Sequence, residues 1–402
     1  MTKKSHIILD ISRLIVRANA KVPTGIDRTE LEYALFLLQQ YHGSISFAAF
    51  HPVGRIGFLP LNIAVRFIQT LATHWRSGQS GRSRFKVSPE IIRQLVLFNS
   101  ASCKKQNCVY LLVSHHHLTH EKAIASFLKK TQSSFAVMVH DLIPLEYPEY
   151  ARPEEPQKHA SRMECVFKLA NVIIVPSQSV AASVAHYSQG RHHAPVHVVP
   201  HGCLTVPQLV IKGTNIEFKV PSQHYFIMLG TIEPRKNHLM ILNIWRELVQ
   251  KFGPQNTPHL LLIGRRGWEN ENILDMLERC PSLQGIVHEY STLPDAHVTQ
   301  LLLNAKALLF PSFSEGFGLP LLEALALQTP CICSNLPVFY EIAGNSAIYL
   351  DTLDGAGWQK TIRAFMDKSM ILPPLLPPAK IRDWPTQVRV GMSYVEQANR
   401  HA

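Results

Sequence analysis

Three short stretches place charged residues where an apolar run gives way to a helix. They are Gly230-Thr231-Ile232-Glu233-Pro234-Arg235-Lys236-Asn237, Gly264-Arg265-Arg266-Gly267-Trp268 and Ser314-Glu315-Gly316-Phe317-Gly318. Arg235 and Lys236 could neutralise a diphosphate as it leaves. In the third stretch Glu315 precedes a predicted helix, and Glu323 lies about one turn inside it. Pro320 suits the first helical position, where a missing N–H costs nothing. The N–H groups of Phe317, Gly318 and Leu319 would then face an anion at a helix N-terminus. Gly316 and Gly318 would let the backbone approach a ligand closely. Amides suit a diphosphate and carboxylates suit hydroxyl groups, so both on one turn point to a sugar nucleotide. A plain strand-to-helix corner with two solvated glutamates explains the third stretch equally well. Each basic turn alone reads as a solvated charge pair. All three at strand ends of one sheet are less easily dismissed, because side chains from such turns converge over the sheet edge.

The elements that would hold these turns are apolar runs of strand length: Tyr225–Leu229, Leu260–Ile263, a run ending at Phe310, Cys331–Ser334 and Ala347–Leu350. Helical periodicity separates them, through Leu242, Trp245 and Leu248, through Asp275–Arg279, and from Asp295 as a cap to Leu303. A short strand is expected at Ile286-Val287. The alternation predicts a parallel, doubly wound sheet.

The first half reads the same way. Strands are expected at His6–Ile11, Cys108–Val113, Phe135–Val139, Val172–Val175 and Val196–Val199. Helices are expected through Leu31–Leu38 and Glu154–Ala170, and from Ser177. Arg13 to Gly25 reads as a polar loop. Asp27-Arg28-Thr29-Glu30 fits a capping box with Asp27 as cap. Gly25 then sits just ahead of a helix, at the strand end where such folds bind ligands, unless it is a plain turn glycine. His140-Asp141 ends another strand. A histidine there can contact a reacting sugar or an acceptor hydroxyl, or simply be hydrogen-bonded at a strand end. Leu61–Trp75 is amphipathic and Arg76–Lys86 is basic. The two read as a core helix with a surface loop, or as a surface resting on an anionic membrane.

The chain has 402 residues, 17% charged and 46% hydrophobic, which fits a globular protein of two domains. No apolar run reaches the ~20 residues of a membrane-spanning helix, and Asp10 comes too early for a signal peptide. Seven scattered cysteines without a CxxC pair favour a reducing compartment and argue against zinc. The adjacent His115, His116 and His117 point in different directions and read as a loop rather than a metal site. The net charge of +11 lies in the first 200 residues. It could meet nucleic acid, a membrane or a phosphorylated acceptor, but no nucleic-acid motif accompanies it. The expected domains are residues 1–205 and 206–375. Residues 376–402, after the Pro373-Pro374 and Pro377-Pro378 break, could cross back to the first.

Glu315…Glu323 within SEGFGLPLLEALA resembles the E-x7-E element of retaining GT-B glycosyltransferases of family 4. GTIEPRKNH resembles that family's donor-phosphate turn. HDLIPLEYPEY and PTGIDRTELEYA resemble elements of its bacterial polysaccharide and lipopolysaccharide mannosyltransferase-like members. The resemblance implies a GT-B fold, two Rossmann-like domains facing a cleft, with acceptor on the first and donor on the second. It implies that Glu315 contacts the donor sugar and that Phe317, Gly318 and Leu319 offer amides. Glu323 holds the ribose, Arg235 and Lys236 bind the diphosphate, Gly25 admits it and His140 lines the acceptor side. Thr231 stands where many members carry Arg, and Gln328 where glycine is common. Without an Asp-x-Asp motif no catalytic metal is expected. The only co-substrate implied is a nucleotide sugar, GDP-mannose first and a UDP-sugar second. The expected acceptor is a glycan or lipid-linked glycan at the cytoplasmic face of a membrane. A non-catalytic sugar-nucleotide-binding protein and a sugar-nucleotide epimerase are the alternatives.

Overall fold

A computed structural model of the chain describes residues 5–77, 107–204, 224–367 and 369–401. Contacts divide it into two units. One comprises residues 1–202 with 383–402, and the other residues 203–382.

The first unit is built on β1 (His6–Asp10), β2 (Ile45–His51), β3 (Arg55–Leu59), β4 (Cys108–Leu112), β5 (Ser133–Met138), β6 (Val172–Val175) and β7 (Val196–Val198). Their order in the sheet is β3-β2-β1-β4-β5-β6-β7. All pairs are parallel except β2 with β3. Every residue of β1 and β4 is buried. Helices cover both faces of a parallel sheet, so its central strands are apolar throughout rather than alternating.

Two local expectations change here. The stretch read as a polar loop holds a short helix, Ser12–Arg17. The long helix begins at Gly25, with Thr24 as its cap and Asp27 as the reciprocal acid. The capping box thus lies three residues earlier than Asp27-to-Glu30. Thr24 wins because its Oγ1 accepts from Asp27 N while Asp27 returns a bond to Thr24 N. Glu30 is left inside the helix and fully buried.

The amphipathic segment forms the helix Leu61–Ser77, which packs on Gly25–Gln40. Phe67, Ile68, Leu71 and Trp75 fill the interior, and Trp75 Nε1 donates to the Ala20 carbonyl at 2.9 Å. Its outer positions are mostly polar, among them Asn62, Arg66, Gln69 and Thr73. The helix is therefore a core helix, and the apolar face proposed for a membrane is already occupied. Residues 78–106 and 205–223, which hold most of the basic segment and most of the expected linker, lie outside the described residues.

The last helix, Trp384–His401, belongs to the first unit and packs on β4, β5, β6 and Gly25–Gln40. Tyr394 stacks on His197 with centroids 4.1 Å apart, and Tyr41 Oη donates to Glu396 at 2.7 Å.

The second unit holds β8 (Tyr225–Leu229), β9 (His259–Ile263), β10 (Val287–Tyr290), β11 (Leu308–Phe310), β12 (Cys331–Ser334) and β13 (Ile348–Leu350). Their order is β10-β9-β8-β11-β12-β13, all parallel. Phe226, Trp245 and Trp358 anchor its core. The order reverses between β8 and β11, which is where doubly wound sheets bind ligands. The turns after those two strands are Gly230–Asn237 and Pro311–Gly318.

The helix Leu319–Ala326 starts one residue before Pro320, with Gly318 as its cap position. Asp295 likewise begins its helix rather than capping it. After Ala326 the chain turns through Gln328 at φ +59°, in the left-handed region, with its side chain in solvent. A side chain there is strained and glycine is not. Gln328→Gly is expected to stabilise the second unit by about 1 kcal/mol. The check is a higher urea midpoint with an unchanged slope.

Candidate active site

At the switch point of the second unit the two turns are tied together. Pro234–Lys236 forms a single 3-10 turn, ended by Asn237 at φ +56°. Asn237 Nδ2 donates to the Thr352 carbonyl at 2.9 Å, which holds that turn down. Phe313 N donates to the Arg235 carbonyl at 2.9 Å, and Arg235 Nη1 to the Ser314 carbonyl at 2.6 Å. These bonds bring the basic turn and the acidic turn face to face.

Glu315 is the centre of the cluster. Lys236 Nζ donates to Oε1, and Arg235 Nη1 lies 3.0 Å from Oε2. Only 10% of the Glu315 side chain is exposed, 11% of Lys236 and 16% of Arg235. Burial opposes ionisation of Glu315, but Arg235 and then Lys236 together outweigh it, and the carboxyl falls to about 2. Buried Ser312 lends further support, although its Oγ falls short of hydrogen-bond geometry. Burial draws the Lys236 ammonium below its usual range, against the pull of Glu315. Lys236 Nζ also stands 5.0 Å above the Phe310 ring.

The motif reading passed over two neighbours. Glu233 receives Arg235 Nη2 at 2.7 Å and fixes its guanidinium. Its place two residues before Arg235 was the available signal. His238 is buried beside Lys236, and burial followed by the lysine charge brings its imidazole down to about 3.

The glycines serve packing as much as approach. Gly318 has φ +125°, and a Cβ there would lie 3.0 Å from Phe339 and 3.4 Å from Phe310, whose rings stack at 4.9 Å. A Cβ on Gly264 would lie 1.7 Å from the Gly230 carbonyl oxygen. Beyond Gly318 the N–H groups of Gly318 and Leu319 donate to no protein acceptor among the described residues. Gly316 and Phe317 are buried in the same turn, and Glu323 is half-buried in the helix that follows.

Arg265 stays apart. Its carbonyl accepts from Ile232 N at 2.9 Å, but its side chain is exposed. Arg266 turns outward to Glu278 and Glu289. That turn follows β9, one strand away from the switch point, so its side chains do not join the Glu315 cluster.

In the first unit Gly25 is an exposed first residue of its helix. Arg13 and Arg17 stand beside that helix start, both bonded to Asp27. His140 lies at the end of β5, buried, with Nε2 2.7 Å from the Val113 carbonyl. Burial brings its imidazole to about 4, with the carbonyl opposing. It is a neutral histidine hydrogen-bonded at a strand end. His115 and His159 pack near it, each ring centre 5.3 Å from its neighbour. Among the described residues no group of three or more ligands could hold a metal ion.

Residues 214–368 match the family described as "Glycosyl transferases group 1". The matched residues fall wholly in the second unit. The Glu315 cluster lies within the matched residues, on the turns after β8 and β11. The relatives extend the match. "Serotype-specific mannosyltransferase WbdA" of Escherichia coli is 31% identical over 229 residues, 53% of this chain and 27% of the relative. "O-antigen chain mannosyltransferase B" of Escherichia coli is 32% identical over 155 residues, 39% of this chain and 38% of the relative. "O-antigen chain mannosyltransferase RfbU" of Salmonella typhimurium is 26% identical, covering 56% of this chain and 59% of the relative. The chain thus spans less than two thirds of the length of each of these. Among solved structures, Anabaena Alr3699/HepE in complex with UDP and glucose superposes with a TM-score of 0.61 at 14% identity, covering 99% of this chain and 98% of that one. Sucrose-phosphate synthase (tll1590) from Thermosynechococcus elongatus gives 0.60 at 13%, covering 99% and 97%. These likenesses establish the fold: two Rossmann-like α/β domains of the GT-B class.

Proposed function

We propose that the chain is a retaining glycosyltransferase. It moves a hexose, mannose first, from a nucleotide sugar to a glycan or lipid-linked glycan acceptor in cell-surface polysaccharide synthesis. The observation that carries this is Glu315 held between Arg235 and Lys236, beside a helix start where the N–H groups of Gly318 and Leu319 donate to no acceptor among the described residues. A diphosphate entering there takes the two cations and the amides. Glu315 is then released towards the hydroxyls of the donor sugar, and Glu323 takes the ribose. As the anomeric bond breaks, Arg235, Lys236 and the helix N-terminus meet the charge on the leaving diphosphate. The acceptor hydroxyl attacks from the same face, assisted by a leaving phosphate oxygen.

Mannose and a surface polysaccharide are supported by the relatives, which are named as mannosyltransferases, two of them of O-antigen chains; GDP-mannose is our first choice of donor on the family resemblance alone. A UDP-sugar is the second choice, since the HepE complex contains UDP and glucose. We assign the acceptor side to the first unit, with His140 lining it as a neutral imidazole rather than a proton carrier. No helix among the described residues is long and apolar enough to cross a membrane. Work at the cytoplasmic face of a membrane is part of the proposal and rests on the basic first half and on the acceptor chemistry.

The test is a thermal-shift screen against UDP, GDP, ADP and their common sugars. One base is expected to raise the melting temperature by mass action, and the rise is expected to disappear in Lys236→Met. No shift with any of them, together with no transfer, would overturn the proposal in favour of a non-catalytic scaffold.

A further inference from the structure

Two acids lie wholly inside the first unit, one at the end of β1 and one in the helix Gly25–Gln40. Asp10 and Glu30 are both 0% exposed. Asp10 accepts the Ser12 N–H on Oδ1 and the Tyr110 O–H on Oδ2, each at 2.9 Å. Glu30 Oε1 accepts the Leu14 N–H at 3.2 Å. Among the described residues its Oε2 has no hydrogen-bond partner. Ser114 leans towards it, but Ser114 Oγ also falls short of hydrogen-bond geometry.

The two acids therefore pin Ser12 and Leu14 of the short helix Ser12–Arg17. That helix carries Arg13 and Arg17, and both are engaged elsewhere. Arg13 and Arg17 both bond Asp27, and Arg13 also donates to Thr24 Oγ1 at 3.1 Å. Among the described residues no Lys or Arg forms an ion pair with Asp10 or Glu30. Among the described residues His117 is the one imidazole within ion-pair distance, 3.8 Å from Asp10 Oδ2; His116 also feels the Asp10 charge, but burial outweighs it and lowers that imidazole to about 4. Asp10 has the hydrogen-bond pattern of a carboxylate. A second carboxylate beside it, with one oxygen unsolvated and no counter-ion, would be an uncompensated buried charge. A neutral carboxylic acid would not.

We propose that Glu30 is a positioning residue that carries a proton in the working protein, and that loss of this proton frees the turn from Ile11 to Gly25. Burial, followed by the repulsion of Asp10, pushes Glu30 up to about 8 against the weaker pulls of Ser114, the Leu14 N–H and Arg13. The other facing groups do not relieve it. Burial, and next Asp10, keep the Tyr110 phenol well above its usual range. Burial lowers the His117 imidazole despite Asp10. Glu30 titrates higher folded than unfolded, so its contribution to stability is fully present below about pH 4.5. It declines as pH rises and is gone above about pH 8. The turn it holds carries Arg13, Arg17 and Gly25, so one proton sets the order of that whole corner.

The experiment compares wild type with Glu30→Gln. The melting-temperature advantage of the variant is expected to grow from pH 5 to about pH 8 and then level off. Wild type is expected to show a protonated-carboxyl infrared band at pH 6 that vanishes by about pH 9 and is absent from the variant. Amide exchange at Leu14, relative to Leu37, is expected to rise above about pH 8 in wild type only. A pH-independent difference, or no such band, would overturn the proposal. Should Glu30→Gln fail to fold, Asp10→Asn provides the decision. Removing the repulsion is expected to move the loss of the band to lower pH in the chain that keeps Glu30, and an unmoved band would overturn it. All these readouts belong to the first unit and do not depend on donor binding or transfer in the second.

Discussion

Glu315→Gln and Lys236→Met are each expected to lower glycosyl transfer by at least about two orders of magnitude, the effect of removing one group that meets transition-state charge. They are expected to differ in stability. Lys236 has Glu315 as its one ion-pair partner among the described residues, so Glu315→Gln strands a buried ammonium. Lys236→Met leaves Glu315 with Arg235, still 3.0 Å away. Breaking a buried pair costs about 3–5 kcal/mol when the remaining charge is uncompensated. Glu315→Gln belongs in that range, and Lys236→Met below it. The double variant removes the stranded charge and is expected to regain most of the stability without regaining transfer. Urea denaturation and a transfer assay on the three variants separate the two roles. Normal turnover in either single variant would remove the residue it changes from the site.

Gly264→Ala is expected to prevent the second unit from reaching its native fold. Gly264 follows β9 and Gly230 follows β8, and Gly230 N donates to the Ile263 carbonyl at 2.9 Å. That bond draws the neighbouring backbones so close that a methyl group on Gly264 would sit 1.7 Å from the Gly230 oxygen and 2.5 Å from its carbon. Both are backbone atoms of a parallel pair and cannot rotate away as a side chain would. The cost is expected to exceed the ~3 kcal/mol of ordinary overpacking. Gly253→Ala is the control. It has φ +77° and ψ +159°, a region that is essentially glycine's alone, but nothing within 4 Å, so it carries only the conformational strain, about 1–3 kcal/mol. The measurement is the fluorescence of Trp245 and Trp358, both buried in the core of the second unit, alongside amide exchange in the first. A native fluorescence signal at the wild-type midpoint in Gly264→Ala would contradict this account.

How much could be read in advance depended on how strongly local chemistry marked each element. Cys331–Ser334 and Val172–Val175 are continuous apolar runs because helices cover both faces of their sheets, and their predicted and observed bounds coincide. Ile45–His51 escaped notice because Ser46, Ala48 and Ala49 dilute its apolar signal. Arg55–Leu59 escaped because an antiparallel edge strand is half in solvent. The capping box was misplaced because Asp27 is acceptable both as a cap and as the reciprocal acid. Only the position of Thr24 in space decides between them.

Arg235, Lys236 and Glu315 were legible as chemistry because each follows a strand end. What the residues could not show is which turns are neighbours. The strand order puts the turn after β11 beside the turn after β8, and it leaves Arg265 and Arg266 one strand further out. Glu30 lay beyond reach for a related reason. A glutamate at that spacing is ordinarily a surface residue, and its burial depends on the short helix that Asp10 and Leu14 anchor.

The helix Trp384–His401 has a consequence for the order in which the protein can be completed. A Cβ on Gly202 would fall 2.4 Å from the Trp384 Cα, so the two ends of the first unit meet with no room between them. On a ribosome, the surface formed by β4, β5 and β6 emerges early and must wait uncovered while the whole of the second unit is made. The first unit is therefore begun before the second and cannot be completed until the second has been made. A nascent chain stalled anywhere between the two units would display bare sheet to chaperones and proteases.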